Sequence, residues 1–326
     1  MITILSSPKP FEGAARFNQL NAIRSWKALA PDVEVILYGD SRGTEIAVGE
    51  LGATWVPDVE ASETGIPLFG AIAAHAAAHA AHDVQAYVNC DIILTPTFLD
   101  AVRRVGPPRF LLSGFLLSGA RLDLAEGVVV DTAEPGWLER IPALADDGRL
   151  RLPAGGADFF VFPRGLWASL PRIVVGRAAY ENALFSFALR RRVPVIDATP
   201  DVVSLHPFHD YSHAPGGRQA VFGGAEAQTN LRACGHLFAT VGDADWQMRG
   251  GVLRRAWNRG DWLGAAEVYA RAALNSRPAG GLLRLARAGA HRVGLSRSGG
   301  IPLAQTLSAL DGACAGLGTD ARRAAG

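Results

Sequence analysis

The sequence predicts an α/β fold, in which a mixed, mainly parallel sheet is flanked by helices and followed by a helical C-terminal extension. Two observations predict this class. Over the first hundred residues, short apolar and β-branched runs alternate with segments of helical periodicity, which is typical of βαβ units whose sheet is covered on both faces. From about residue 224 onward, the apolar residues follow a helical pattern instead.

The first part of the chain shows the alternation element by element. Each apolar run is closed by turn-forming residues, as where "ITIL" is followed by "SSPKP". Pro31 ends the first predicted helix, and Gly52 follows the second. The predicted strands are residues 2–5, 33–43 with the turn that closes it, 53–57 and 86–94, and the predicted helices are residues 16–29, 43–52 and 67–82.

The pattern becomes less regular after residue 105. Apolar runs at 109–119 and 157–167 predict strands, and an amphipathic pattern predicts a helix over 177–192. The later runs "VPVIDAT" and "VVSLH" predict two more strands. We therefore expect an α/β domain over residues 1–223 and a helical C-terminal extension over residues 224–326.

The composition predicts a globular chain without a strong charge field. Of the 326 residues, 49% are hydrophobic, and the formal net charge is +1, so no basic surface for nucleic acid is expected. Three widely spaced cysteines form no disulfide framework, which suits a reducing cytosol. No stretch approaches the roughly 18 apolar residues of a transmembrane segment. We expect a cytoplasmic protein, with peripheral association at the inner face of the membrane left open.

Two polar residues interrupt the buried run "AYVNCDIIL". Side chains alternate along a strand, so Asn89 and Asp91 are expected on one face and Cys90 on the other. A buried carboxylate needs a cation or hydrogen-bond donors, and parallel sheets bind ligands at the carboxyl ends of their strands. Asp91 is therefore expected at the lip of its strand, in a binding site or, alternatively, as an acid that caps a turn.

Three histidines, an aspartate and a tyrosine fall within "SLHPFHDYSH", residues 204–213. Neutral imidazole and carboxylate groups bind Mn²⁺, Mg²⁺ or Zn²⁺ to different degrees. Pro207 forces a turn after His206, so His206, His209 and His213 cannot all be neighbours on one helix. The cluster favours a metal site, and the alternative is a polar loop with one structural histidine.

Two acids lie beside aromatic and apolar residues, Asp158 in "GADFFVF" and Glu181 in "AAYENALF". Burial raises the pKa of a carboxyl group, which suits a general base near neutral pH. Each acid also has a structural alternative. Asp158 can be a turn residue after two glycines, and Glu181 can be a surface position on an amphipathic helix.

Together these motifs resemble those of GT-A-type glycosyltransferases, and the chain is similar to a group of uncharacterised bacterial glycosyltransferase family 2-like proteins. The resemblance covers roughly residues 2–246 and lies in the order and spacing of several short motifs. They are "ILSSPKPF", "RFNQLNAIRSW", "VILYGDSRG", "GIPL", "YVNCDIIL", "GADFFVFPRGLW", "RAAYENALF", "VPVIDAT" and "HPFHDYSH". It implies a GT-A, Rossmann-like fold with a nucleotide-sugar-binding and catalytic domain, and a hexosyltransferase activity with an inverting mechanism favoured.

The resemblance also implies roles for single residues. A strand ending in D-x-D, here "NCD", meets the nucleotide-sugar diphosphate in GT-A enzymes, so Asp91 would bind Mn²⁺ or Mg²⁺ and Asn89 would contact the ribose or sugar. A later histidine would complete the metal site, His206 first and then His209 or His213, with His213 also among the nucleotide-sugar contacts. The nucleotide pocket would be lined by Ser6, Ser7, Pro8 and Asp40. Glu181 would be the base that activates the acceptor, with Asp158 as the alternative.

The resemblance departs from the family pattern at Asn89, where the first acid of D-x-D is missing and one metal-ligand charge is lost. The predicted function is metal-dependent transfer of a sugar from a UDP- or GDP-sugar donor to an unknown acceptor hydroxyl. Two alternatives stay open. One is a metallohydrolase that uses the His/Asp cluster at 206–213, and the other is a non-catalytic nucleotide-sugar-binding protein.

Overall fold

The computed structural model describes residues 1–105, 114–153, 156–209 and 216–256. Thirteen strands and eight α-helices are present within these ranges. The strands are β1 (Thr3–Ser6), β2 (Glu34–Tyr38), β3 (Thr54–Val56), β4 (Val84–Val88), β5 (Ile93–Leu94), β6 (Leu116–Ala120), β7 (Leu122–Leu124), β8 (Leu150–Arg151), β9 (Ala157–Pro163), β10 (Val195–Asp197), β11 (Ser204–His206), β12 (Trp246–Arg249) and β13 (Val252–Arg255). The helices are α1 (Gly13–Lys27), α2 (Thr44–Leu51), α3 (Phe69–His79), α4 (Pro96–Val105), α5 (Ile141–Asp146), α6 (Tyr180–Arg190), α7 (Gly217–Gly223) and α8 (Ala225–Cys234).

The main sheet has nine strands in the order β13-β12-β10-β6-β9-β4-β1-β2-β3. Strand β9 runs antiparallel to both of its neighbours, β4 and β6, and β13 runs antiparallel to β12. The other neighbouring strands are parallel. The predicted α/β class, with a mixed and mainly parallel sheet, is confirmed.

Helices cover both faces of this sheet because consecutive strand residues point in opposite directions. In β1, Ile4 packs in a core with Trp26 of α1, while Leu5 packs in a second core with Phe69 of α3. Strand β9 repeats the pattern, since Phe159 belongs to the first core and Phe160 to the second. The near-continuous apolar runs of the sequence are thus explained by burial on two sides.

A second, four-stranded sheet has the order β5-β11-β7-β8. Strand β11 pairs antiparallel with β5 and parallel with β7. Its own apolar core includes Ile93, Leu122 and Leu205. This small sheet brings together the residues that follow β4, the strand after β6 and the end of β11, which are far apart in the sequence.

The predicted strand over residues 86–94 is two strands separated by a turn. Strand β4 ends at Val88, the Ile92 N–H donates to the Asn89 carbonyl at 3.0 Å, and β5 begins at Ile93. The residues after the turn are apolar again because β5 is buried in the second sheet rather than the first. Asp91 consequently lies in the turn just beyond β4, at the lip predicted from the sequence.

The C-terminal part differs from the helical pattern in one segment. Helix α8 lies where the sequence predicts a helix, whereas β12 and β13 form a hairpin that extends the main sheet. Residues 257–326 lie outside the described residues, so the division into 1–223 and 224–326 stays a prediction. No helix in the described part of the chain has the length and apolar character to cross a membrane.

Candidate metal centre

Asp91 is held at the edge of the main sheet where parallel strands β1, β2 and β4 all end. The residue is only 6% exposed, and its carboxylate has two partners in the structure. Its Oδ2 atom lies 2.7 Å from Lys9 Nζ and 3.1 Å from His209 Nε2. The buried carboxylate therefore meets the cation and the hydrogen-bond donor that its burial requires.

His206 and His209 complete a three-residue cluster with Asp91. One nitrogen or oxygen atom of each side chain lies within 4.8 Å of the corresponding atoms of the other two. His206 ends β11, Pro207 turns the chain, and the two imidazole rings meet edge to face with centroids 4.9 Å apart. The structure thus brings together the three residues predicted as metal ligands, and His213 lies outside the described residues.

Lys9 also belongs to this cluster. Its Nζ atom is 3.2 Å from His209 Nε2, in addition to the contact with Asp91. The backbone of Lys9 is fixed by the buried side chain of Gln19, which accepts from the Lys9 N–H at 2.7 Å and donates to the Lys9 carbonyl at 3.0 Å. A positive charge is therefore placed at the candidate metal ligands by a rigid backbone support.

The charges around Asp91 keep its carboxyl group ionised. Burial alone raises the pKa, but Lys9 and the two histidines outweigh burial and hold the pKa of Asp91 well below its usual range. Cys90 points elsewhere: its side chain is buried in the first core, and burial raises the pKa of its thiol above the ordinary value. Asp91, and not its neighbour, is thus available as an anionic ligand.

The donor set fits a divalent transition metal. One carboxylate and two imidazoles suit Mn²⁺ or Zn²⁺, whereas Mg²⁺ prefers shells made of oxygen atoms. Only three protein groups converge within the described residues, which would leave coordination positions for a substrate. The chemistry of the three side chains therefore accommodates a catalytic rather than a closed structural site.

A second group of charges orients His206. Asp123, in β7, accepts from Arg121 Nε at 2.8 Å and lies 3.4 Å from His206 Nδ1. Although burial raises the pKa of Asp123, the hydrogen bonds from His206 and Arg121 outweigh it and lower this pKa to about 2. A carboxylate on the far nitrogen of a ligand histidine fixes its ring orientation, and Asp123 is placed to do so.

Asp158 is enclosed by partners and is not set up as a base. Because β9 runs antiparallel to β4, its first residues lie beside the end of β4. There Asp158 Oδ1 accepts from the Asn89 side chain, and Oδ2 forms an ion pair with Arg121. Gly156 supports the arrangement: its φ is +108°, and an added Cβ would lie 3.3 Å from the Arg121 guanidinium.

Asn89 is likewise engaged within the protein. Its amide nitrogen donates to Asp158, and its Oδ1 accepts from the Tyr180 hydroxyl at 2.8 Å. The Asn89 N–H also donates to the Asp158 carbonyl at 2.9 Å. Asn89 thus connects the end of β4 to β9 and α6 through hydrogen bonds. Its predicted contact with the sugar or ribose stays a prediction.

Glu181 has the environment of a proton acceptor. Its Oε2 accepts from the Ala157 N–H at 3.1 Å, and the residue keeps partial contact with solvent. Desolvation by the surrounding protein atoms, together with the nearby charge of Asp158, raises the pKa of Glu181 from 4.5 to about 8. The raised pKa brings the proton affinity of Glu181 into the range that suits a general base near neutral pH.

The residues predicted to line a nucleotide pocket lie at the same sheet edge, with different exposure. Ser6 is fully buried, and its hydroxyl donates to the Val88 carbonyl at 2.6 Å, so it faces the strand rather than an opening. Ser7 is partly exposed, Pro8 is buried, and Asp40 is exposed just after β2. Of these four residues, Ser7 and Asp40 are the two that a ligand can reach from solvent.

A cavity of about 510 Å³ opens beside the cluster. His206 and His209 form one side, and strands β7 and β8 with the residues that flank them form the other. The remaining lining residues are Arg121, Asp123, Leu124, Ala125, Glu126, Gly148, Arg149, Leu150, Arg151, Phe208 and Arg218. The volume is in the range of small-molecule sites.

Three residues of the site, Lys9, Arg121 and Asp123, were not predicted from the sequence. Lys9 lies inside the quoted motif "ILSSPKPF", but nothing in a single lysine predicts a partner at residue 91. Arg121 and Asp123 are two residues apart, which places them on one side of an extended chain and was the available signal. Tyr180, next to the predicted Glu181, was also missed.

Comparisons with known proteins give similar solved structures and nothing else: no protein-family model matches the chain, and no curated protein matches it. A mycobacterial protein is 20% identical over 72% of this chain and 75% of that chain, with a TM-score of 0.42. Glucosyl-3-phosphoglycerate synthase from Mycobacterium tuberculosis, in complex with Mn²⁺, UDP and phosphoglyceric acid, is 19% identical over 72% and 78%, with a TM-score of 0.43. The same synthase in complex with Mg²⁺ and UDP is 19% identical over 72% of this chain and 79% of that chain, with a TM-score of 0.42. With TM-scores below 0.5, these likenesses carry none of the functional assignment.

Proposed function

We propose that the protein is a metal-dependent glycosyltransferase that moves a sugar from a nucleotide-sugar donor to an acceptor hydroxyl. The observation that supports this most is the position of Asp91. It lies at the carboxyl-end edge of the parallel strands, in contact with His209 and clustered with His206. Ligands of open α/β sheets bind at this edge, and an ionised carboxylate with two imidazoles there suits a metal-bound diphosphate.

Asp91, His206 and His209 would hold the metal, with Mn²⁺ favoured by the two imidazoles and Mg²⁺ the alternative. When bound, the ion would neutralise the charge that develops on the nucleoside diphosphate leaving group. Asp123 would keep the His206 ring in its ligating orientation. The donor, a UDP- or GDP-sugar, would lie against the accessible residues Ser7 and Asp40.

Glu181 would accept the proton of the acceptor hydroxyl. A carboxyl group with a pKa of about 8 binds the proton well and releases it near neutral pH. Direct attack assisted by one base agrees with the inverting mechanism expected from the resemblance. Asp158 would act on the site through Asn89 and Arg121, as a positioning residue.

The acceptor would enter through the cavity beside His206 and His209. Its wall is lined by charged side chains and the half-exposed ring of Phe208, and two of the candidate metal ligands, His206 and His209, belong to it. An acceptor bound there would approach the donor from the side of the second sheet. The cytoplasmic location and peripheral membrane contact remain predictions alongside this assignment.

A donor screen tests the proposal. Melting temperatures of the full chain are measured with UDP, GDP and other nucleoside diphosphates, each with and without Mn²⁺. At least one nucleotide is expected to raise the melting temperature more strongly with Mn²⁺, because a ligand that binds only the native state stabilises it. No shift with any nucleotide would contradict a nucleotide-sugar enzyme.

The two alternatives make different predictions in the same preparation. A metallohydrolase would retain about one Zn²⁺ per chain after purification, which elemental analysis detects, since the His/His/Asp set also suits zinc. A non-catalytic binder would show the thermal shift but no transfer and no slow hydrolysis of the donor. Donor turnover that Asp91→Asn abolishes would exclude the binder.

A further inference from the structure

We infer that Lys9 is a resident cation of the metal centre, which must release Asp91 before a metal binds and which then contacts the diphosphate. Lys9 Nζ lies 2.7 Å from Asp91 Oδ2 and 3.2 Å from His209 Nε2. Those are the same two atoms that contact each other at 3.1 Å. The ammonium therefore uses the ligand atoms that a metal ion would need.

The choice of residue supports this role. The chain contains thirty arginines but only two lysines, Lys9 and Lys27. An ammonium is a compact point charge on a flexible stem, whereas a guanidinium is a broad planar fork. In a chain that uses arginine at nearly every basic position, the cation placed at Asp91 is the one that most resembles a metal ion in size and charge density.

The position of Lys9 combines a fixed backbone with a movable charge. Gln19, only 1% exposed, makes two hydrogen bonds to the Lys9 backbone, and prolines flank it at 8 and 10. The side chain itself is 29% exposed, while that of Asp91 is 8% exposed. The ammonium can therefore swing away from the carboxylate without moving the loop.

Competition at Asp91 has a thermodynamic consequence. Two cations on one carboxylate oxygen repel each other, so Lys9 lowers the affinity of the site for free metal. A nucleoside diphosphate brings new anionic oxygens, which can take both the metal and the displaced ammonium. Metal and diphosphate should then bind with positive coupling, and each must strengthen the other by the same factor. The inference rests on the proposed function for the identity of this second ligand.

The test measures Mn²⁺ binding to the full-length protein from the free-Mn²⁺ electron paramagnetic resonance signal, with and without UDP. Lys9→Met removes the charge and keeps the length of the side chain, and Lys9→Arg keeps the charge. Lys27→Met is the matched control, since within the described part of the chain Lys27 Nζ donates to the Val33 and Gly52 carbonyls and to no carboxylate. Chemical unfolding confirms that each variant is native.

Without nucleotide, Lys9→Met should bind Mn²⁺ about tenfold more tightly than the wild type, within the usual range of site-to-site coupling. Lys9→Arg and Lys27→Met should not. UDP should strengthen Mn²⁺ binding in the wild type by a larger factor than in Lys9→Met. Should Lys9→Met unfold, Lys9→Gln repeats the comparison, because it also removes the charge at Asp91 and keeps a polar side chain at this partly exposed position.

Equal or weaker Mn²⁺ binding by Lys9→Met would overturn the inference. So would tighter binding by Lys9→Arg, because the effect would then not be one of charge. The measurement with Mn²⁺ alone contains no nucleotide, so its result holds whichever way the proposed function is decided. A wild type that binds Mn²⁺ but gains nothing from any nucleoside diphosphate would instead count against the proposed function.

Discussion

Asp91 Oδ2 and His209 Nε2 lie 3.1 Å apart, although 118 positions separate the two residues in the sequence. The contact joins the edge of the main sheet to the loop after β11. Both residues are mostly buried, with side-chain exposures of 8% and 19%. The contact holds a carboxylate beside an imidazole that lines the cavity, and the predictions below start from this arrangement.

Asp91→Asn should lower Mn²⁺ affinity by at least about 10- to 100-fold and remove the stabilisation by nucleotide with Mn²⁺. Asparagine keeps the shape but lacks the charge that a divalent ion requires. Titration with Mn²⁺ and the thermal shift with UDP measure the two effects. Asp83→Asn is the control, because Asp83 is an exposed acid with a surface ion pair to Arg164. Equal Mn²⁺ affinity in both variants would remove Asp91 from the metal site.

Glu181→Gln should reduce the rate of sugar transfer by about 100- to 10,000-fold, as expected for loss of a general base. The wild-type rate should rise with pH through about 8, because only the ionised carboxylate accepts the proton. The residual rate of Glu181→Gln should lack this rise. Asp158→Asn should instead destabilise the protein, since it breaks the pair with Arg121. A Glu181→Gln enzyme with an unchanged pH profile would assign the base elsewhere.

Glu181 also links stability to pH. Its pKa is about 8 in the native protein against 4.5 ordinarily, so the native state holds the proton more tightly between these values. The free energy of unfolding should therefore fall as the pH rises from about 4.5 to about 8, by this residue's contribution. Urea unfolding across this range should show a smaller fall for Glu181→Gln than for the wild type. If the free energy of unfolding fell equally with pH in the wild type and in Glu181→Gln, the raised pKa of Glu181 would be contradicted.

Arg121→Met should lower the free energy of unfolding by about 3–5 kcal/mol. The substitution leaves Asp158, whose side chain is 4% exposed, as a buried charge without its cation. The double variant with Asp158→Asn should recover part of the loss, which chemical denaturation measures. Arg103→Met is the control for the size of this loss in stability, since the exposed pair of Arg103 with Asp100 should contribute about 0–1 kcal/mol. A loss as small as that of Arg103→Met would contradict a buried ion pair.

The local part of the architecture was predictable from the sequence. Strands β1, β2 and β4 and the helices between them have apolar periodicity and turn residues that are visible in short windows. Asp91 was predictable for the same reason, because a carboxylate in an apolar run requires an explanation. The cluster at 206–213 was recognisable from its density of ligand-type side chains.

The contacts between distant segments were not predictable in the same way. No periodicity reports that Lys9 meets Asp91, or that Asp123 meets His206, since each pair is formed by the tertiary fold. The turn at 89–92 was also hidden, because β5 is as apolar as β4 although it belongs to another sheet. Likewise, the hairpin of β12 and β13 lacks the alternation that would have identified it within a helical context.

The pairing of β5 with β11 sets the order in which the centre can be assembled. Ile93 faces Leu205 and Leu94 faces Ser204, so the turn that carries Asp91 is anchored by a segment synthesised more than a hundred residues later. A nascent chain that has not yet emerged beyond residue 205 has the acid but neither imidazole. A metal ion that needs all three side chains could therefore bind only late in the maturation of the polypeptide, after these distant segments have joined.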